Sequence, residues 1–154
     1  MELGERYWAA VEPYWGSISI YDGADRFLAA FRNTPEVPRN LFAAHWCQSE
    51  VCNGGLHQFF TNPTGVLAPE AVAGFQVIGL SALSRLVTDA MAFFGSEYPR
   101  EQEDRISALD AYAAEHGDAW NPFGDLDDRF YELLRREAGG WEHAADAYAL
   151  EKAG

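Results

Sequence analysis

Lysine is almost missing from this chain. Lys152 is the only one, so arginine supplies the rest of the 11 basic residues, and 24 Asp and Glu outweigh them to a formal net charge of −13. A surface that binds DNA or RNA directly replaces counterions with clustered Lys and Arg, so direct nucleic-acid binding is not expected. Cysteine is scarce too: Cys47 and Cys52 are too few for a secreted domain stapled by disulfides. On one helix, five residues turn their side chains about 140° apart, which predicts free thiols. No apolar run approaches the ~18 residues of a membrane span. Glu2, Glu5 and Glu12 stand where a secretory leader would be basic and then apolar. The expected location is the cytosol, with no membrane partner.

What is present suits a folded domain. The 154 residues fit one unit, residues 1–154, and 48% hydrophobic with 14% aromatic content argues against disorder. Pro and Gly divide the chain into segments of helical length, so the expected fold is all-α, about seven or eight helices around a central buried one. Asp22 reads as the N-cap of a helix to Arg32, and a second helix runs from Pro38 to Cys52. Asn53, Gly54 and Gly55 break that helix before a short turn, Leu56 to Thr61. From Pro69 to Phe94 apolar residues recur at three and four, giving the central helix or a pair broken at Gly79. Further helices are expected over Pro99–Glu115, Asp125–Ala138 and from Trp141 onward. Ser17 to Tyr21 alternates like a strand but has no evident partner.

Chemistry-bearing motifs are few. His45, Cys47, Cys52 and His57 fall close together in the chain. On one helix, however, the first two diverge by about 200° and His45 lies about 10 Å along the axis from Cys52, so no metal site is expected. No serine elbow, phosphate loop or His-Glu-x-x-His pattern appears, which leaves no catalytic residues and no cofactor to assign. Trp46, Glu50 and Asn53 share a helical stripe, and Gln58, Phe59 and Asn62 follow the Gly54-Gly55 turn. The polar members converge either on a small ligand or, the preferred reading, in a hydrogen-bonded knot that fixes two helical segments.

The run Glu50-Val51-x-Asn53-Gly54-Gly55-Leu56-x-Gln58-Phe59-Phe60-x-Asn62 continues with Gly65, Ile78-Gly79, Ala90 and Phe93-Phe94-Gly95. Later comes Asp125-Leu126-Asp127-Asp128-x-Phe130-Tyr131. Together these resemble the bacterial DNA-mimic protein family, first defined as a domain of unknown function, over about residues 20–150. Leu56 replaces the usual aromatic, a change that repacking absorbs. The resemblance implies an all-helical acidic domain that presents carboxylates where a DNA-binding protein expects phosphates.

The charge is unevenly placed. Residues 1–96 carry nine acids and five basic residues, net −4, whereas residues 97–154 carry fifteen and six, net −9. The candidate partner-binding acids are Glu97, Glu101, Glu103, Asp104, Glu115, Asp118, Asp125, Asp127, Asp128 and Glu132. The leading expectation is a non-enzymatic protein that binds a basic DNA-binding regulator through this face. The alternative is a small-ligand or immunity-type domain using Glu50, Asn53, Gln58 and Asn62. Monomer and homodimer are both left open.

Overall fold

In the computed structural model, which describes residues 1–153, the longest helix is the central element. Helix α3 (Glu36–Thr61) buries Leu41, Phe42, Ala43, Ala44, Cys47, Val51, Leu56, Phe59 and Phe60. Around it pack α1 (Glu5–Val11), α4 (Ala68–Ile78), α6 (Gln102–His116), α7 (Gly124–Arg136) and α8 (Trp141–Ala153). Helix α5 (Ser81–Met91) forms a hairpin with α4 and leans on α7, while α2 (Ala24–Arg32) buries Phe27 and Phe31. The fold is all-α, eight helices among the described residues, and one continuous hydrophobic core joins them.

The Gly54-Gly55 break falls where expected. Gly54 and Gly55 leave helical geometry, and Gly55 sits at φ +83°, a region that side chains with a Cβ rarely enter. The pair at Gly79 also separates as foreseen, with Gly79 left-handed between α4 and α5. Gly74 lets α4 approach closely: a Cβ there would lie 2.6 Å from the Asn40 carbonyl oxygen on α3.

Several expectations need correcting. The central helix is α3 rather than the 69–94 segment, because α3 alone has apolar residues on enough of its circumference to be covered by five partners. Asp22 does not cap α2; Gly23 occupies the N-cap position and no side chain bonds the first turn. Residues 17–21 form no strand. Ser17 closes a 3₁₀ turn begun at Glu12, and Ile18 and Ile20 are buried as anchors, which reproduces a strand's alternation without a neighbour to pair with. Helix α1 has no counterpart in the expectations; only Tyr7 and Val11 are buried on it, one turn apart.

Three helix starts lack caps of their own and receive them from the C-terminal helices. Asp146 accepts from the Gly4 and Tyr7 N–H groups at α1 (2.7 and 2.9 Å). Glu137 takes Ala82 and Leu83 at α5 (2.7 and 3.0 Å), and Asp127 takes Leu56 (2.8 Å) where α3 restarts after its break. A carboxylate opposite unpaired N–H groups also meets the positive end of the helix dipole, so these contacts are more than neutral hydrogen bonds. At the opposite end of α3, Arg105 is fully buried. It donates to the carbonyls of Phe60 (2.8 Å), Asn62 (3.0 Å), Pro99 (3.2 Å) and Arg100 (2.6 Å). A guanidinium satisfies several carbonyls at a helix C-terminus because its donors radiate in one plane.

Candidate functional site

The signature segment is a structural joint. Asn62 donates to the Glu50 carboxylate across the break, joining the two halves of α3. Helix α7 clasps the same break with two side chains one turn apart. Tyr131 donates to the Val51 carbonyl (3.0 Å) on one side, and Asp127 accepts from Leu56 on the other. Gln58 lies folded against Gly54, where a Cβ would collide with its amide. Phe59 is buried, and Trp46 stacks on Trp15 with ring centroids 5.3 Å apart. Asn53 is exposed and does not join the cluster. The structure therefore brings Glu50 and Asn62 together, with Gln58 nearby. Neither the cleft at Arg100 nor the one beside Cys52 is lined by Glu50, Asn53, Gln58 or Asn62.

The thiols and histidines are dispersed. Cys47 is buried and its thiol pKa is pushed up by desolvation, while Cys52 is exposed; both are free. His45 shares a hydrogen bond with the Tyr7 hydroxyl (3.0 Å) between Trp8 and Trp15, and burial lowers its pKa. His57 stands apart under the edge of Trp120.

Of the candidate acids, Glu97, Glu101, Glu103, Asp104, Glu115, Asp118, Asp125 and Asp128 are exposed. Asp127 is not a free surface carboxylate. It is half-buried on Leu56, and desolvation raises its pKa despite that hydrogen bond. Glu132 is exposed but sits 3.5 Å from Arg136 one turn on, so part of its charge is answered locally. Helices α6 and α7 each pack on α3 rather than along one another.

One feature of this surface is absent from the expectations. Between Glu97 and Asp128 the only Lys or Arg residues are Arg100 and Arg105; Arg105 is fully buried, and Arg100, its side chain 30% exposed, is neutralised by Glu70. Arg100 is paired bidentately with Glu70 (2.5 and 3.0 Å) and also donates to Val66, while Arg105 is spent on the end of α3. Asp110, in the middle of α6, is a further exposed acid. With it, nine exposed carboxylates occupy a stretch whose two arginines are buried or paired.

Comparison with known families supports the resemblance at the level of the family. The chain belongs to the DMP19-like protein family. The family's model matches residues 32–152, from the last residue of α2 nearly to the end of α8, compared with the expected 20–150. Helix α1 lies outside the DMP19-like match, although Asp146 within it caps α1. No curated protein and no solved structure matches the chain.

Proposed function

We propose that this DMP19-like protein is non-enzymatic and binds a basic DNA-binding protein through the exposed acids of α6, its flanking loops and the start of α7, occupying the surface with which that partner contacts DNA. The observation that carries the reading is the stretch from Glu97 to Asp128, with nine exposed carboxylates, one arginine buried and the other paired with Glu70. A domain of this length is about 38 Å across. B-DNA of that length has about 22 phosphates, of which about 11 face one partner. Nine carboxylates are of the same order, whereas an unsegregated net charge would be much thinner. Along α6, Glu103 and Asp110 lie about 10 Å apart on one stripe, and Asp104 and Glu115 about 16 Å apart on another roughly a third of a turn round. A single helix thus offers two rows.

The ligand-binding alternative has less support, since Glu50 and Asn62 satisfy each other and Asn53 faces solvent. The test is capture of basic proteins at low salt by the wild type and by a Glu103→Lys, Asp110→Lys, Glu115→Lys variant, with duplex DNA as competitor. The expected result is a salt-sensitive complex with a DNA-binding protein, displaced by DNA and lost in the variant. A complex that survives the three reversals, or that DNA does not displace, overturns the reading.

A further inference from the structure

Five tryptophans occur in the chain, and four are buried or half-buried in the contacts of α1, α3 and α8. Trp120 differs. It is 46% exposed, in the loop joining α6 to α7, with exposed Asp118 and Asp125 near it in the chain. The loop is well anchored: Phe123 is buried against Phe60 and Phe93, its N–H donates to the Asn121 side chain (2.9 Å), and Pro122 separates the two. The indole itself meets the His57 ring edge to face, with centroids 4.7 Å apart, and His57 in turn lies within the electrostatic reach of Asp110 and Asp127. The middle of α6, the break in α3 and the loop therefore converge at one half-exposed indole.

A large apolar ring held open to water amid carboxylates gains nothing from solvation. It suits a cation that is planar and weakly hydrated. Arginine meets both conditions: the guanidinium stacks on an indole while its edge donors reach carboxylates, whereas a lysine ammonium is a compact, strongly hydrated point charge. Because the loop is fixed, binding there immobilises little that was free.

We propose that Trp120 is the specificity-determining contact of the acidic face, receiving an arginine side chain of the basic partner and making the face select arginine-rich over lysine-rich surfaces. This rests on the acidic-face reading given above.

The experiment uses the full chain and two fluorescein-labelled probes of equal length, an oligo-arginine and an oligo-lysine peptide, titrated by fluorescence anisotropy at low salt. Wild type, Trp120→Ala, Trp120→Phe and the Glu103→Lys, Asp110→Lys, Glu115→Lys variant are compared, with circular dichroism confirming that each is folded. The expected result for Trp120→Ala is a loss of about fivefold in oligo-arginine affinity, within the range of a cation–π contact, and unchanged oligo-lysine affinity. Trp120→Phe, which keeps a ring and guards against loss of folding in the alanine variant, is expected to fall between. If both peptides bind and the arginine preference is unchanged in the Trp120 variants, the inference is overturned while the acidic face stands. If neither peptide binds wild type, or the triple reversal leaves binding intact, the acidic-face reading fails and the inference with it.

Discussion

Asp127 belongs by sequence to the acidic run of α7 and by structure to the joint in α3, and the two roles make opposite demands on substitution. Its Oδ1 accepts from Leu56 N–H at 2.8 Å, the first amide after the Gly54-Gly55 break, and its other oxygen lies where a Cβ on Gly55 would come within 2.9 Å. Replacing it with alanine removes an N-cap acceptor from a half-buried helix start, a loss of about 1–2 kcal/mol. In a domain of this size that lowers Tm by about 3–6 °C. Asparagine keeps an acceptor in place and removes the charge. Burial holds the Asp127 pKa above its ordinary value, so the folded state binds the proton more readily than the unfolded chain. The contribution of the carboxyl is therefore full below about pH 3.8 and declines as pH rises through the folded-state pKa. Asp127→Asn is accordingly expected to stay within about 0.5 kcal/mol of wild type near neutrality and to gain on it as pH rises from about 4 to 7. Urea unfolding followed by circular dichroism measures all three proteins, with Asp110→Asn, exposed in mid-helix, as the neutral control. An alanine variant as stable as wild type but defective in binding oligo-arginine would refute the capping argument and return Asp127 to the interaction face.

Arg105→Met removes the donors of four carbonyls from a fully buried site and is expected to cost about 3–5 kcal/mol in urea unfolding; a cost below about 1 kcal/mol would show that water satisfies those carbonyls equally well. His45 has a folded-state pKa lowered by burial, so the unfolded chain takes up the proton first and stability falls as pH drops below about 6.5. The urea midpoint should therefore fall between neutral and mildly acidic pH, and His45→Phe should flatten that fall. Cys52 is exposed and Cys47 buried with a raised pKa, so a thiol reagent should modify one cysteine in the native protein and the second only on unfolding.

Helices could be read from the sequence where the signal is local. The breaks at Gly54-Gly55 and Gly79 follow from glycine chemistry, and α6 and α7 follow from apolar spacing, with ends within a few residues of those expected. The errors come from information that is distant in the chain. Helices α1 and α5 and the restart of α3 are capped by Asp146, Glu137 and Asp127, whose partners lie 142, 55 and 71 residues away at their most distant. A search for Ser, Thr, Asp or Asn beside each helix start misses such caps. It also credits Asp22, where Gly23 takes the position instead. Buried Ile18 and Ile20 imitate a strand because two anchors two residues apart are what alternation detects, whatever the backbone between them does.

The acidic face shows the same dependence on distant contacts. Sequence counting gives residues 97–154 six basic residues and treats them as diluting the acids. Folding buries one of them and pairs another for reasons unrelated to any partner. The carbonyls closing α3 and the Asn62–Gly65 loop need donors, and Arg105 supplies several at once; Arg100 neutralises Glu70 and reaches Val66. Moved in the other direction, Asp127, Glu137 and Asp146 are withdrawn as caps. What stays exposed and unpaired between Glu97 and Asp128 is then of one sign, although the chain there contains both. The joint in α3 and the face of α6 are therefore separable: Arg105→Met weakens the fold without adding a surface cation, while an outward-facing lysine on α6 adds the cation without touching the joint. Stability and oligo-arginine affinity should consequently separate between those two classes of variant.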